Sequence, residues 1–214
     1  MLIGSLSSRP SLISRLSPHE WRRRLIHMSP GLLPVLLLAI PHPDPLPWYS
    51  QVVIIAVVSG MSVFALRRAN LFERQNETGW PVSVVSYAAI ILTMLLAFPA
   101  QPEMGLVVTV IIAFGDGSAT LGGLLLQGPC LPWNKGKSWA GFSAFLLISI
   151  PVAAVVFWGE ARPGVSLSAA LACVAPACLA AAVAESLPMR LNDNIRVGVT
   201  SALAMIISRG VFVG

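Results

Sequence analysis

Charge is what this chain has least of. Of its 214 residues only 11% are Asp, Glu, Lys or Arg, while 56% are hydrophobic. A soluble domain carries about 25% charged residues, so these few cannot clothe a water-exposed surface, and an ordinary soluble globule is excluded. Cysteine is scarcer still. Cys130, Cys173 and Cys178 form no CxxC pair and no Cys/His cluster of zinc type, which argues against a disulfide framework and a structural zinc site. Cys173 and Cys178 lie in an apolar block, where a thiol acts as a small hydrophobe. No internal repeat or low-complexity tract stands out.

What the chain does have is apolar residues gathered into long blocks, as a bilayer demands. Seven such segments run over Leu25–Ile40, Ser50–Leu66, Pro81–Phe98, Met104–Leu126, Trp139–Trp158, Ser166–Ala184 and Val197–Val213. Proline clusters punctuate the connections, as at Pro41, Pro43 and Pro45 and again at Pro99 and Pro102. The expected fold is all-α: a polytopic transmembrane helical bundle of about seven spans. Residues 1–24 are read as a polar N-terminal segment on the cytoplasmic side. Residues 25–214 are read as a single transmembrane helical domain, with the run from residue 25 a retained first helix rather than a signal-peptide core. Small residues in the sixth and seventh blocks allow helix association, but the oligomeric state stays open.

The net charge is +5. A basic balance suits nucleic acid as well as membranes, but here the cations are scattered over short connections, so topology accounts for them and no nucleic-acid partner is expected. Arg9, Arg15, Arg22, Arg23, Arg24, Arg67, Arg68, Arg74, Lys135, Lys137, Arg190 and Arg196 fall on one side of the alternating spans, and Arg162 and Arg209 on the other. The positive-inside rule puts the N-terminus and the first set in the cytoplasm. His27, Asn76, Glu77, Asp116, Asn134, Lys137, Glu185, Asp193 and Asn194 share that side, and the opposite side reads as short Pro-rich turns.

Four stretches could carry chemistry. Gly115-Asp116-Gly117-Ser118 lies inside the fourth block, where an acid is costly and points to function. Its glycines allow the backbone to break or bend there. A break would start a half-helix near Ser118 whose free N–H groups bind phosphate, with Asp116 beside it as a magnesium ligand. The alternative is a Gly-rich packing helix. Asn134-Lys135-Gly136-Lys137-Ser138 precedes the fifth block; Lys137 and Ser138 fall where a helix begins, which favours an anion. No glycine stands four residues back and no strand precedes, so it is not a Walker A loop. Ordinary membrane anchoring is the alternative. At the first boundary Arg22, Arg23 and Arg24 suit lipid headgroups, while His27, three residues after Arg24 on a similar face, suits a proton carrier or a phosphate donor group. Glu185 closes the sixth block, and Asp193 and Asn194 precede the seventh; with Asp116, these acids could hold one or two Mg²⁺ ions. Helix capping by Asn194 is the plainer reading.

Taken in order, these stretches resemble the dolichol kinase, phytol kinase and CTP-dependent diacylglycerol kinase family. The matches are ExxRKxxHxxxG at residues 20–31, with Arg24 where lysine is usual, GDGxAxxxG at 115–123, PxNxxKSxxG at 132–141, and Glu185 with Asp193-Asn194. The resemblance implies transfer of the γ-phosphate of CTP, or another nucleotide triphosphate, to the hydroxyl of a membrane lipid such as a polyprenol, phytol or diacylglycerol. It implies Asp116, Lys137 and His27 as catalytic residues. Arg23, Arg24, Gly115, Gly117, Ser118, Asn134, Lys135, Lys137, Ser138 and Asn194 would bind the nucleotide, and Asp116, Glu185 and Asp193 would hold Mg²⁺. Residues alone do not choose whether His27 or an acid takes the hydroxyl proton. A cytidylyltransferase making a CDP-lipid is the first alternative, although the chain lacks the long C-terminal S-x-x-K-R-x-x-x-x-K-D signature of that class. Cys130, where a basic residue is common, leaves the nucleotide open. A transporter or non-catalytic membrane protein is the second alternative, and it would place ionisable residues on both sides of a central path.

Overall fold

The computed structural model describes residues 17–40, 42–68 and 80–213. Arg9, Arg15, Arg74, Asn76 and Glu77 lie outside them. The chain is an all-helical polytopic membrane bundle with one small hairpin.

Helix α1 (Pro18–Met28) begins seven residues before the apolar block, because Ser17 accepts a hydrogen bond from Glu20 N at 3.2 Å and Pro18 sits in the first turn. Arg22, Arg23 and Arg24 are therefore helical, not part of a preceding loop. A 3₁₀ turn at Ser29–Gly31 separates α1 from α2 (Leu32–Leu37). Gly31 is required at this turn: a Cβ there would lie 2.6 Å from the Ala113 methyl.

Next come α3 (Trp48–Arg67) and α4 (Trp80–Ala97). A single 25-residue run, Pro102–Leu126, follows as α5 (Pro102–Val110), a π-helical turn (Ile111–Asp116) and α6 (Gly117–Leu126). Strands β1 (Cys130–Leu131) and β2 (Asn134–Ser138) pair antiparallel ahead of α7 (Trp139–Glu160), α8 (Leu167–Ser186) and α9 (Asp193–Phe212). Ser138, Ser166 and Asn192 cap the last three helices through their side chains.

Five helices among the described residues are long and apolar enough to cross a membrane, and α4 is a shorter apolar helix. The Pro102–Leu126 run is the axis of the bundle: 83% of its most apolar window is buried, against 0% for α3, which packs on α4 and presents the rest of its surface outward. In a bilayer, tight packing rather than water exclusion holds helices together, so small residues mark the contacts. Ala170, Cys173, Ala177, Cys178, Ala181 and Ala182 of α8 are all buried in this way.

The end of the bundle that holds the Pro-rich turns is richer than the sequence suggests. Glu103 and Glu160 are buried there. Arg209 Nε donates to Glu103 at 3.0 Å, and His42 lies 2.7 Å from Glu160 and 3.5 Å from Asp44. Each acid stands at the start or end of a span, so its charge was readable as interfacial, but its partner comes from more than 100 residues away.

Candidate active site

At the other end of the bundle, side chains from α1, α4, α6, β2, α7, α8 and α9 enclose a cavity of about 690 Å³, within the usual range for small-molecule sites. Arg23, Arg24, His27, Asp116, Lys135, Lys137, Ser138, Glu185, Asp193 and Asn194 all line it. Gly115, Gly117, Ser118 and Asn134 do not.

The reason lies in the fourth span. The interruption at Gly115-Asp116-Gly117 takes the form of a π-helical turn, a wider coil that keeps the helix continuous. No free helix N-terminus forms near Ser118. Ser118 Oγ instead lies 3.0 Å from Gly115 O and 3.1 Å from Ala144 O, tying α6 to α7. Gly115 backs onto the Phe145 ring, and a Cβ on Gly117 would stand 2.4 Å from Met28. Both glycines serve close packing, and the wide turn aims Asp116 into the cavity. There Asp116 Oδ2 is 3.1 Å from His27 Nε2. The two are at ion-pair distance. The His27 ring stacks on Tyr87, centroids 5.6 Å apart.

The hairpin brings the lysines. Trp133 Nε1 donates to Ser186 Oγ at 3.1 Å and Asn134 Nδ2 to Ser186 O at 2.9 Å, pinning β1–β2 onto the end of α8. Asn134 Oδ1 also accepts from Gly136 N at 3.0 Å. Asn134 thus positions the strand that carries Lys135 and Lys137. Lys137 Nζ contacts Glu185 directly and lies 3.8 Å from Asp193 Oδ2. Burial alone would lower the Lys137 pKa, but the carboxylates of Glu185, Asp193 and Asp116 more than offset it, and the net shift is upward. Ser138 accepts from Gly141 N at 3.2 Å, so its hydroxyl is a helix cap at the cavity wall.

The last segment adds its own scaffold. Arg196, one turn after Asp193, pairs with it and donates to Ala184 O at 3.0 Å and Leu187 O at 2.7 Å. Asn194 Nδ2 donates to Ser83 O at 2.8 Å and Asn192 Nδ2 to Ser83 Oγ at 2.7 Å, which ties α9 to α4. On α1, Arg24 Nε donates to Glu20 at 3.0 Å.

Sequence reasoning missed Tyr87, Ser83, Asn192 and Arg196. Arg196 was findable as the i+3 partner of Asp193. Tyr87 and Ser83 sit in an apolar block with nothing to single them out.

The expected magnesium ligands share this cavity but do not form a ready cage. Among the described residues, no three His, Cys, Asp or Glu side chains converge to hold a metal ion. Asp116 faces His27, Glu185 faces Lys137, and Asp193 faces both Arg196 and Lys137. As held here, the three acids do not fit a preformed metal site. What the arrangement offers is several cations and one imidazole around two buried carboxylates, Asp116 and Glu185, and the more exposed Asp193, suited to a polyanion and a proton transfer.

Comparison with known proteins agrees with the resemblance read from the motifs. The chain is 30% identical over 123 residues to "Probable phytol kinase 1, chloroplastic" of Oryza sativa subsp. japonica, covering 55% of this chain and 39% of that protein. It is 32% identical over 124 residues to "Probable phytol kinase, chloroplastic" of Triticum aestivum, covering 55% and 41%. To "Phytol kinase 1, chloroplastic" of Arabidopsis thaliana it is 27% identical over 129 residues, covering 58% and 42%. The matched region thus spans about two fifths of the length of these relatives. No family model and no solved structure matches the chain.

Proposed function

We propose that this chain is a membrane lipid-alcohol kinase, moving the terminal phosphate of a nucleotide triphosphate, CTP by the family resemblance, to the hydroxyl of an isoprenoid alcohol such as phytol. One observation carries the reading: four separated stretches bring His27, Asp116, Lys137, Glu185 and Asp193 to one cavity at one end of a membrane bundle. The charge bias of the connections supports a cytoplasmic position for that end, where nucleotides are.

Phosphoryl transfer asks the protein for positioning and charge neutralisation rather than covalent chemistry. Arg23, Arg24, Lys135 and Lys137 supply positive charge for the phosphates. The lipid hydroxyl enters from the bilayer and its oxygen attacks the γ-phosphorus. The bond to the bridging oxygen breaks, and the nucleoside diphosphate leaves. His27 takes the hydroxyl proton, and Asp116 orients the ring and stabilises the imidazolium that forms. Magnesium enters this reading only as the counter-ion travelling on the nucleotide.

The test is an incubation of purified protein with phytol and CTP labelled in either the α- or the γ-phosphate. A kinase moves γ-label to lipid and leaves CDP. Label passing to lipid from the α-position, with pyrophosphate released, would replace this reading by a cytidylyltransferase. No transfer of either label to phytol, a polyprenol or diacylglycerol would end it.

A further inference from the structure

We infer that Lys137 is the resting site's own counter-cation, standing between Glu185 and Asp193 so that a divalent metal is admitted together with a polyphosphate and not alone. This rests on the nucleotide reading above and adds the order of binding to it.

Among the described residues, the three carboxylates facing the cavity differ in what holds them. Arg196 is anchored to two carbonyl oxygens and is 6% exposed along its side chain, so the cation next to Asp193 is fixed. His27, opposite Asp116, is packed against Tyr87. Lys137 alone has freedom: its side chain is 30% exposed, it sits on a short strand beside Gly136, and its charge rides on a four-carbon stem. Glu185 is 4% exposed along its side chain, and a buried carboxylate without a compensating cation is strongly destabilising. Departure of Lys137 would leave that charge uncompensated, and a second cation arriving in the same step avoids the cost.

A free Mg²⁺ would have to displace the ammonium against the attraction of Glu185 and Asp193, and would find no third ligand in place among the described residues. A metal–nucleotide complex meets neither obstacle. Its phosphates give the ammonium a new partner, and its metal, already ligated by phosphate and water, needs only one or two carboxylates from the protein. The exchange is cation for cation, so the buried carboxylate of Glu185 is compensated throughout.

The probe is Mn²⁺ alone, with free ion followed by electron paramagnetic resonance on nucleotide-free protein in detergent. Wild type should leave the ion largely free. Lys137→Met should bind it, with affinity raised by about tenfold or more by loss of the neighbouring positive charge. Lys137→Arg should resemble wild type, and adding Glu185→Gln to Lys137→Met should abolish the gain. Tight Mn²⁺ binding by wild type overturns the inference, as does a Lys137→Met protein that gains none; Lys137→Gln serves if the methionine variant does not fold. The underlying reading fails separately: wild type that does not retain radiolabelled CTP with Mg²⁺ present removes the nucleotide site, whatever the manganese result.

Discussion

His27 and Asp116 come from different helices, yet stand 3.1 Å apart at a cavity wall. Their union accounts for an acid in the middle of an apolar span, which composition alone marks only as costly. Replacing Asp116 by Asn keeps its shape and removes its charge. Turnover of labelled CTP should fall at least about a hundredfold, the ordinary worth of a positioned proton-transfer pair, while the protein still inserts and migrates as a folded species on size-exclusion chromatography. His27→Gln should fall by a similar factor. Retained activity in Asp116→Asn would take that residue out of the site. At Lys137 the sign of the pH effect is fixed. Its folded pKa is raised, so while its carboxylate partners are ionised its ion pairs stabilise fully below the unfolded value of about 10.4, and on the alkaline side they are lost as pH climbs through the higher folded value. The melting difference between wild type and Lys137→Met should therefore stay flat across the neutral range and shrink only in strong alkali. A difference that shrinks near neutrality would contradict the ion-pair assignment.

At the scale of elements, the apolar blocks announced the helices because spans must satisfy their own backbone, and long apolar runs are the signature. Two features escaped. The hairpin at residues 130–138 is short and polar and reads as a loop; only its docking through Trp133 and Asn134 onto Ser186 makes it a strand pair. The π turn is invisible because glycines at 115 and 117 suit a break, a bend or close packing equally well, and only the neighbours Phe145 and Met28 decide. The contact of α6 with α7 supplies a stability prediction. A Cβ at Gly141 would stand 2.6 Å from the backbone oxygen of Ala119, which cannot swing aside, whereas one at Gly60 meets nothing within 4 Å. Gly141→Ala should cost about 1–3 kcal/mol in detergent unfolding, and Gly60→Ala should be neutral or mildly stabilising. Equal effects would mean that the two helices do not pack this closely.

For the whole molecule, the decisive property is the separation of two polar ends. One carries the cavity, and the other the buried pairs of Glu103 with Arg209 and Glu160 with His42. The charge bias of the connections separates the two sides, but the sequence could not show that the second end holds buried acids, because their partners are remote in the chain. Orientation is testable through the exposed thiol of Cys130 at the cavity rim, since Cys173 and Cys178 are buried. A membrane-impermeant maleimide should leave the protein unmodified in intact cells and label it once the membrane is opened. Labelling of Cys130 from outside would reverse the assigned topology.

Lys135 and Lys137 both line that cavity, and the sequence contains no other lysine. An acylating reagent selective for ε-amines thus has no decoy on the rest of the surface. A drop in its incorporation when a nucleotide is added would report occupancy directly, with the protein's own composition supplying the selectivity that would otherwise need mutagenesis.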